Sequence, residues 1–417
     1  MNTLPIYHEA KLVANVSFDS HGFPELEYSA SWQRFGFDIS VTLPRLQQKH
    51  NGPEVRTFFE NILPEGLIRR TLARQIGTDE TNVFGLLRHI GRDCAGAFSI
   101  GGPGNKGSYE ELTQERLNQL LHELPVYPMG ASERRTSLSL AGAQNKLPLF
   151  HRNGIYYLPI QGASSNCILK LPIPGFAHTV ENEHFCLELG REIGLPVVKS
   201  SILRLDGSSV LHIERYDRQG NDFHPKRLPQ EDFCQMSALL SEIKYERDGG
   251  PSFADCAKLI RRHSMQPAAD LTLLVKWAIF NLCIGNNDAH AKNLSMLREG
   301  KGLRLAPFYD LLTTTYYGNR LLRKMAMRLG GKSQSFYLSH KRWCLFADSV
   351  KLPHKAVLKM VISTTQSILK TLDVMELNAS QYDIASTPFA HLIQHIRQRT
   401  IQVSEHIKAT EPRQEKQ

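Results

Sequence analysis

The chain has 417 residues, 41% hydrophobic and 22% charged, with 50 Lys plus Arg against 41 Asp plus Glu for a formal charge of +9. That length exceeds what one hydrophobic core usually spans, and the composition excludes a disordered or membrane-embedded class. The positive excess favours an anionic partner, but no Lys/Arg tract concentrates it, which argues against the chain recognising DNA alone.

Seven cysteines (Cys94, Cys167, Cys186, Cys234, Cys256, Cys283 and Cys344) are scattered with no C-x-x-C pair, so they read as buried thiols rather than a zinc or disulfide framework. The start, MNTLPIYHEAKLVANVSFDS, has no basic segment followed by an apolar one, and no apolar stretch is read as approaching ~18 residues. A cytoplasmic protein with no membrane contact is expected.

Residues 1–125 mix predicted strands (KLVANVSF, FDISVTL) with predicted helices (VRTFFENILPEGLIRRTLARQI, ERLNQLLHEL), and the Pro/Gly-containing PVYPMGASERR reads as a linker. Residues 126–228 carry short β-type runs (SLSL, KLPLF, IYYLPI, CILKLPI, SSVLHIERYD) and one helix, TVENEHFCLELGREIG, with Thr179 as N-cap and Gly194 as stop. From 229 to 417 the pattern turns helical: PQEDFCQMSALLSEIK, SFADCAKLIRRHS, AADLTLLVKWAIFNLCIG, then amphipathic segments to the end. The exception is LSMLREGKGLRLAPFYD, two strand-like runs about a Gly-rich turn. The class is α+β: an N-terminal α/β subdomain, a sheet-rich lobe, then a helical lobe.

At the foot of the apolar helix stands IGNNDAHAKNLSML, with Asp288 and Asn293 five apart and Asp310 beyond the predicted hairpin. Phosphoryl transfer from a nucleotide needs such a set: one Asp to accept the proton of the attacking hydroxyl, an Asn and a second Asp to hold Mg²⁺. A cation for the phosphates is available in Lys170, which interrupts the apolar strand NCILKLPI, with an exposed edge strand as the plain alternative. Glu183 in the next helix shares a face with Cys186, Leu187 and Gly190, and a carboxylate there needs a partner, for which Lys170 is the candidate. In SLSLAGAQNKLPLF, backbone N–H groups of the small-residue turn could cradle phosphate oxygens.

Two other chemistries fit these residues. Asp288, His290 and Asp310 could ligate a catalytic metal in a hydrolase. The chain could instead be a non-catalytic nucleotide-binding module that acts on transcription with a DNA-binding partner.

Taken together, FFENILPEG, SLAGAQNKL, ILKLP, ENEHF, IERYDR, RLPQEDFCQ, KYERDGGPS, GNNDAHAKN and APFYDLL resemble the HipA-like toxin kinases of bacterial toxin–antitoxin modules, from about residue 55 to 315. The resemblance implies a two-lobed, protein-kinase-like fold related to the phosphoinositide 3/4-kinase lineage, with an all-helical C-terminal lobe. It implies a serine/threonine protein kinase using ATP and Mg²⁺. The phosphate loop would be Ala141, Gly142, Ala143, Gln144, Asn145 and Lys146, with Lys170 on the phosphates and Glu214, Arg215 and Tyr216 as the adenine-contacting hinge. Asp288 would be the base; His290, Ala291, Lys292 and Asn293 would line the nucleotide; Tyr309 and Asp310 would complete the metal side, with Asn293 and Asp310 as ligands. Ser139 matches an autophosphorylated serine whose modification ejects the loop, with Ser137 and Thr136 as neighbouring alternatives. The implied partners are a HipB-like DNA-binding antitoxin, through which operator DNA would mainly be bound, and an aminoacyl-tRNA synthetase of the glutamate-tRNA ligase type as substrate.

Overall fold

The computed structural model describes residues 3–19, 21, 23–104, 106–124, 145–300, 302–321, 324–334, 338–382 and 387–411. The chain forms two compact units: residues 1–173, 203–242 and 296–301 make the first, and 174–202, 243–295 and 302–417 the second.

The two larger sheets among the described residues lie mainly in the first unit. One orders its strands Lys49–His50, Pro24–Tyr28, Lys11–Phe18, Leu4–His8 and Phe98–Ile100, all pairs antiparallel. Its core gathers Ile6, Val13, Val16 and Leu26 with Phe58, Phe59, Leu86 and Leu87 from helices. The other sheet runs Ser200–Leu205, Ser208–Glu214, Cys167–Lys170, Lys146–Arg152, Ile155–Ile160, Ser108–Glu111. Leu147, Leu149, Leu158, Leu169 and Val210 pack there with Leu117, Leu120 and Leu121 of the helix Gln114–Glu123.

Three elements of this unit depart from the sequence reading. FDISVTL is a tight turn closed by a Ser40–Leu43 bridge, not a strand. Side chains take its backbone groups: Ile39 N donates to Tyr28 Oη at 2.8 Å, Tyr28 Oη donates to Leu43 O at 2.5 Å, and Val41 N donates to Glu231. The long predicted helix is two, Pro53–Glu60 and Gly66–Gln75, because Pro64 cannot continue a helix and Gly66 enters the left-handed region (φ 58°). PQEDFCQMSALLSEIK forms a short strand, Gln230–Asp232, a single helical turn, Phe233–Met236, and a 3₁₀ turn, Ser241–Ile243. Glu60 accepts from Ser241 N and Oγ (3.0 and 2.8 Å), diverting the chain from a continuous helix.

In the second unit the apolar helix Pro267–Ile284 packs against Phe253–His263, His354–Leu377 and Thr387–Ala409, with Trp277, Phe280 and Leu274 fully buried. Contrary to the sequence reading, it has the length and composition of a membrane span; two-thirds of it is buried, as in a core helix. The helix Thr179–Glu192 takes His178 (φ 58°) as its N-cap, so Thr179 is the first helical residue instead, while Gly194 (φ 81°) follows its end. This lobe is not all-helical. Strands Lys324–Leu329 and Lys332–Gln334 pair antiparallel about Gly330 and Gly331, and a Cβ on Gly330 would lie 2.1 Å from Arg342 O. Strands Ser295–Glu299 and Gly302–Leu305 flank Gly300 as the hairpin pattern predicts, with residues 296–301 counted in the first unit. All seven cysteines are free and six are buried.

Candidate functional site

The polar cluster begins where Pro267–Ile284 ends. Gly285 caps the helix in the left-handed region (φ 76°), donating its N–H to Leu282 O, and a Cβ there would stand 2.0 Å from Thr315 Oγ1. Asn286 then holds two parts of the site with one amide. Its Nδ2 donates to Asp310 O at 3.2 Å and to Asn281 Oδ1 at 2.9 Å, while its Oδ1 accepts from Asp288 N at 3.1 Å. Asn287 is tied by N–H to Thr314 Oγ1 and by its carbonyl to Ala326 N. The "NN" before Asp288 is therefore the scaffold of the loop.

Asp288 is partly exposed and accepts from Tyr245 Oη at 2.8 Å through Oδ1. Asn293, in the turn Ala291–Asn293, donates Nδ2 to Asp288 O at 3.3 Å, a bond that does not use its Oδ1. Asp310 has φ 52°, a conformation that costs a non-glycine residue roughly 1–3 kcal/mol and concentrates at functional sites. Tyr309 does not point a free hydroxyl at a metal: its Oη donates to Lys292 O and lies 2.7 Å from Ser295 Oγ. Burial, with Lys244 and Lys292 nearby, outweighs Asp310 and lowers His290 to about 3, so the imidazole is neutral. Its Nδ1 is buried and makes no hydrogen bond among the described residues. Among those residues, no three His, Cys, Asp or Glu side chains form a metal-binding group, which removes the support for a hydrolase built on Asp288, His290 and Asp310.

In the first unit, Lys170 ends the strand Cys167–Lys170, which has neighbours on both sides, and is 4% exposed; the exposed-edge alternative does not hold. Lys146 starts its own strand with its Cα directly opposite Lys170, so two lysines share one register position. Asn145 O accepts from Leu171 N at 3.4 Å. Ala141, Gly142, Ala143 and Gln144, with Ser139, Ser137 and Thr136, lie outside the described residues. Glu183, in the second unit, is 4% exposed, but its helix is buried throughout Thr179–Gly190, including Glu181 and Glu188. The apolar-face argument that singled out Glu183 therefore does not separate it from its neighbours.

The expected hinge divides by function. Glu214 keeps its side chain exposed, and Tyr216 Oη is bonded to Gln230 Oε1. Arg215 instead turns its guanidinium into a buried charge cluster, bonding Asp217 Oδ1 and Oδ2 (3.0 and 2.8 Å), Ser165 Oγ (2.8 Å) and Cys94 O (2.9 Å). Asp93, fully buried, lies 2.9 Å from Arg218, 3.5 Å from Arg227 and 3.6 Å from Arg215. Although burial opposes ionisation, these arginines hold Asp93 below the usual carboxylate range, and Arg215 with Arg218 does the same for Asp217. The alternating charges of RYDR were the available signal for the cluster, but its partner Asp93 is too distant in sequence to be paired by pattern.

Two family models match the chain: one described as the HipA N-terminal domain over residues 4–101, the other as the HipA-like C-terminal domain over residues 138–372. The "Putative kinase Y4mE" of Sinorhizobium fredii is 36% identical over 389 residues, covering 89% of this chain and 92% of its own. The "Serine/threonine-protein kinase toxin HipA" of Shewanella oneidensis is 28% identical over 373 residues, covering 85% of each. A chain from the solved complex of Shewanella oneidensis HipA, HipB and its operator DNA matches with a TM-score of 0.83 at 24% identity, covering 97% of both chains, a likeness in fold.

Proposed function

The chain belongs to the HipA-like family of serine/threonine kinases, and from that premise we propose that it transfers the γ-phosphoryl group of ATP to a Ser or Thr hydroxyl of another protein, with Asp288 as the base. The observation that carries this is Asn286, whose one amide fixes both the backbone of Asp288 and that of Asp310. Base and second carboxylate are thereby held in a constant relation before any ligand arrives.

Mg²⁺ fits the donors Asn293 Oδ1 and the Asp310 carboxylate, which are hard oxygen ligands, and would neutralise phosphate charge when bound. In the first unit, Lys170 and the phosphate loop Ala141–Lys146 are the proposed phosphate contacts. The buried, unsatisfied His290 Nδ1 suits a site completed by a polar ligand. With Arg215 committed to the charge cluster, its backbone rather than its side chain would face adenine, beside Glu214 and Tyr216.

In this reading the chain comprises three segments, 1–125, 126–228 and 229–417, and acts in the cytoplasm as the toxin of a toxin–antitoxin module. Its partner would be a HipB-like antitoxin, supported by the assembly in which the Shewanella oneidensis protein was solved. An aminoacyl-tRNA synthetase of the glutamate-tRNA ligase type would be the substrate, and phosphorylation of Ser139 would switch the enzyme off.

The test is Asp288→Asn assayed for Mg²⁺-dependent transfer of label from ATP to protein. Loss of a positioned base lowers the rate roughly 10²–10⁴-fold with folding intact. More than about a tenth of wild-type activity in the variant would reject the base assignment. Absence of ATP consumption by the wild type would instead favour a nucleotide-binding co-regulator.

A further inference from the structure

The segment KYERDGGPS has no part in the roles above, yet it sets a side chain directly on Asp288 through the Tyr245 Oη to Oδ1 bond of 2.8 Å. The ring carrying that hydroxyl is held in place. It meets the His290 ring nearly at right angles (5.4 Å, 80°), and the cations of Arg247 and Lys244 lie 5.1 and 5.7 Å from its centre.

The backbone behind Tyr245 is a closed turn. Asp248 N and Gly250 N both donate to Tyr245 O at 2.9 Å, and Gly249 has φ 96°. A Cβ on Gly250 would lie 2.4 Å from Ile243 O, so this turn admits only glycine there. Glu246 pins the turn to the strand Lys324–Leu329, accepting from Arg328 N at 2.5 Å. Two residues earlier on that strand, Ala326 N donates to Asn287 O at 2.8 Å. One strand therefore anchors both the Tyr245 turn and the Asp288 loop and sets the spacing between them.

We propose that Tyr245 is a positioning residue for phosphoryl transfer, its hydroxyl fixing the Asp288 carboxylate in the orientation from which it accepts the substrate proton. The proposal rests on Asp288 being the base. A hydrogen bond to a carboxylate is among the strong ones, and a misplaced base loses rate without any change in nucleotide binding.

The experiment uses the full chain as wild type, Tyr245→Phe, Asp288→Asn and the double variant, with Mg²⁺, radiolabelled ATP and casein as acceptor, reading label on casein and on the chain itself. Phenylalanine keeps the ring contacts and removes only the hydroxyl. The expected result is a kcat roughly 10-fold lower, with KM for ATP within about twofold and an unchanged melting temperature. In the Asp288→Asn background the same change should have no further effect, because the hydroxyl acts through that carboxylate. A wild-type kcat for Tyr245→Phe beside an inactive Asp288→Asn would overturn the role of Tyr245 and leave the base assignment standing. A faster Tyr245→Phe would also overturn it, since the phenol would then be occupying the place of the substrate hydroxyl. An equal loss in both backgrounds would assign the effect to folding or to another contact, and an active Asp288→Asn would bring down both readings.

Discussion

Asp93→Asn removes one negative charge from the middle of a buried array of three arginines and two aspartates while keeping the shape of the side chain. Asp93 is 0% exposed, contacts Arg215, Arg218 and Arg227, and accepts from Ser165 N at 2.9 Å and Ser165 Oγ at 2.6 Å. Without the charge, Asp217, which pairs with Arg215 and Arg218, would be the one carboxylate left among three buried guanidinium groups. Removing one member of a buried ion pair costs about 3–5 kcal/mol. For a unit of this size, 1 kcal/mol shifts the melting temperature by about 2–4 °C, so the expected fall is roughly 6–20 °C. Calorimetry of Asp93→Asn against an exposed control, Asp79→Asn, reads it directly. The pH dependence carries a second signature. Because Asp93 and Asp217 are both held below their ordinary range, their stabilisation is present above the unfolded carboxylate pKa of about 4 and is lost as pH falls through the folded values. Asp93→Asn should flatten that acid limb. A variant that melts within about 2 °C of wild type and loses stability in acid along the same curve would refute the reasoning.

Two further outcomes follow from the proposed nucleotide site. Asp310→Ala should abolish the Mg²⁺-dependent part of ATP binding measured by titration calorimetry, because triphosphate charge would then meet a site missing its main cation ligand; wild-type binding that is equally tight with and without Mg²⁺ would contradict the metal role. Prolonged incubation with Mg²⁺-ATP should place phosphate on Ser139, adding about −1.5 to −2 charges beside the phosphate loop and lowering ATP affinity, while Ser139→Ala stays active; peptide mapping that finds phosphate only on Ser137 or Thr136 would redirect the switch.

Much of the Asp288 loop was legible because its causes are local. A glycine at the end of an apolar helix, two asparagines, and an Asp and Asn five apart all act within one loop, and short polar side chains there have few backbone groups to reach. Strands such as KLPLF, IYYLPI and SSVLHIE also appear where alternation and β-branched residues place them. IERYDR was read through the resemblance as an adenine-contacting hinge, and the sequence did not show that the Arg215 guanidinium turns into a buried charge cluster.

Tertiary structure decided what the local pattern left open. Arg215 reads as a ligand contact until Asp93 and Ser165 arrive from elsewhere in the chain and take its guanidinium. FDISVTL has strand composition, yet Tyr28 and Glu231 satisfy its backbone and bend it into a turn. Tyr245 reaches Asp288 across 43 residues, a pairing for which no periodicity exists. Sterics and capping act over a few residues and so are written in sequence, whereas the partner of a buried charge or hydroxyl is set by which segments the fold brings within about 3 Å.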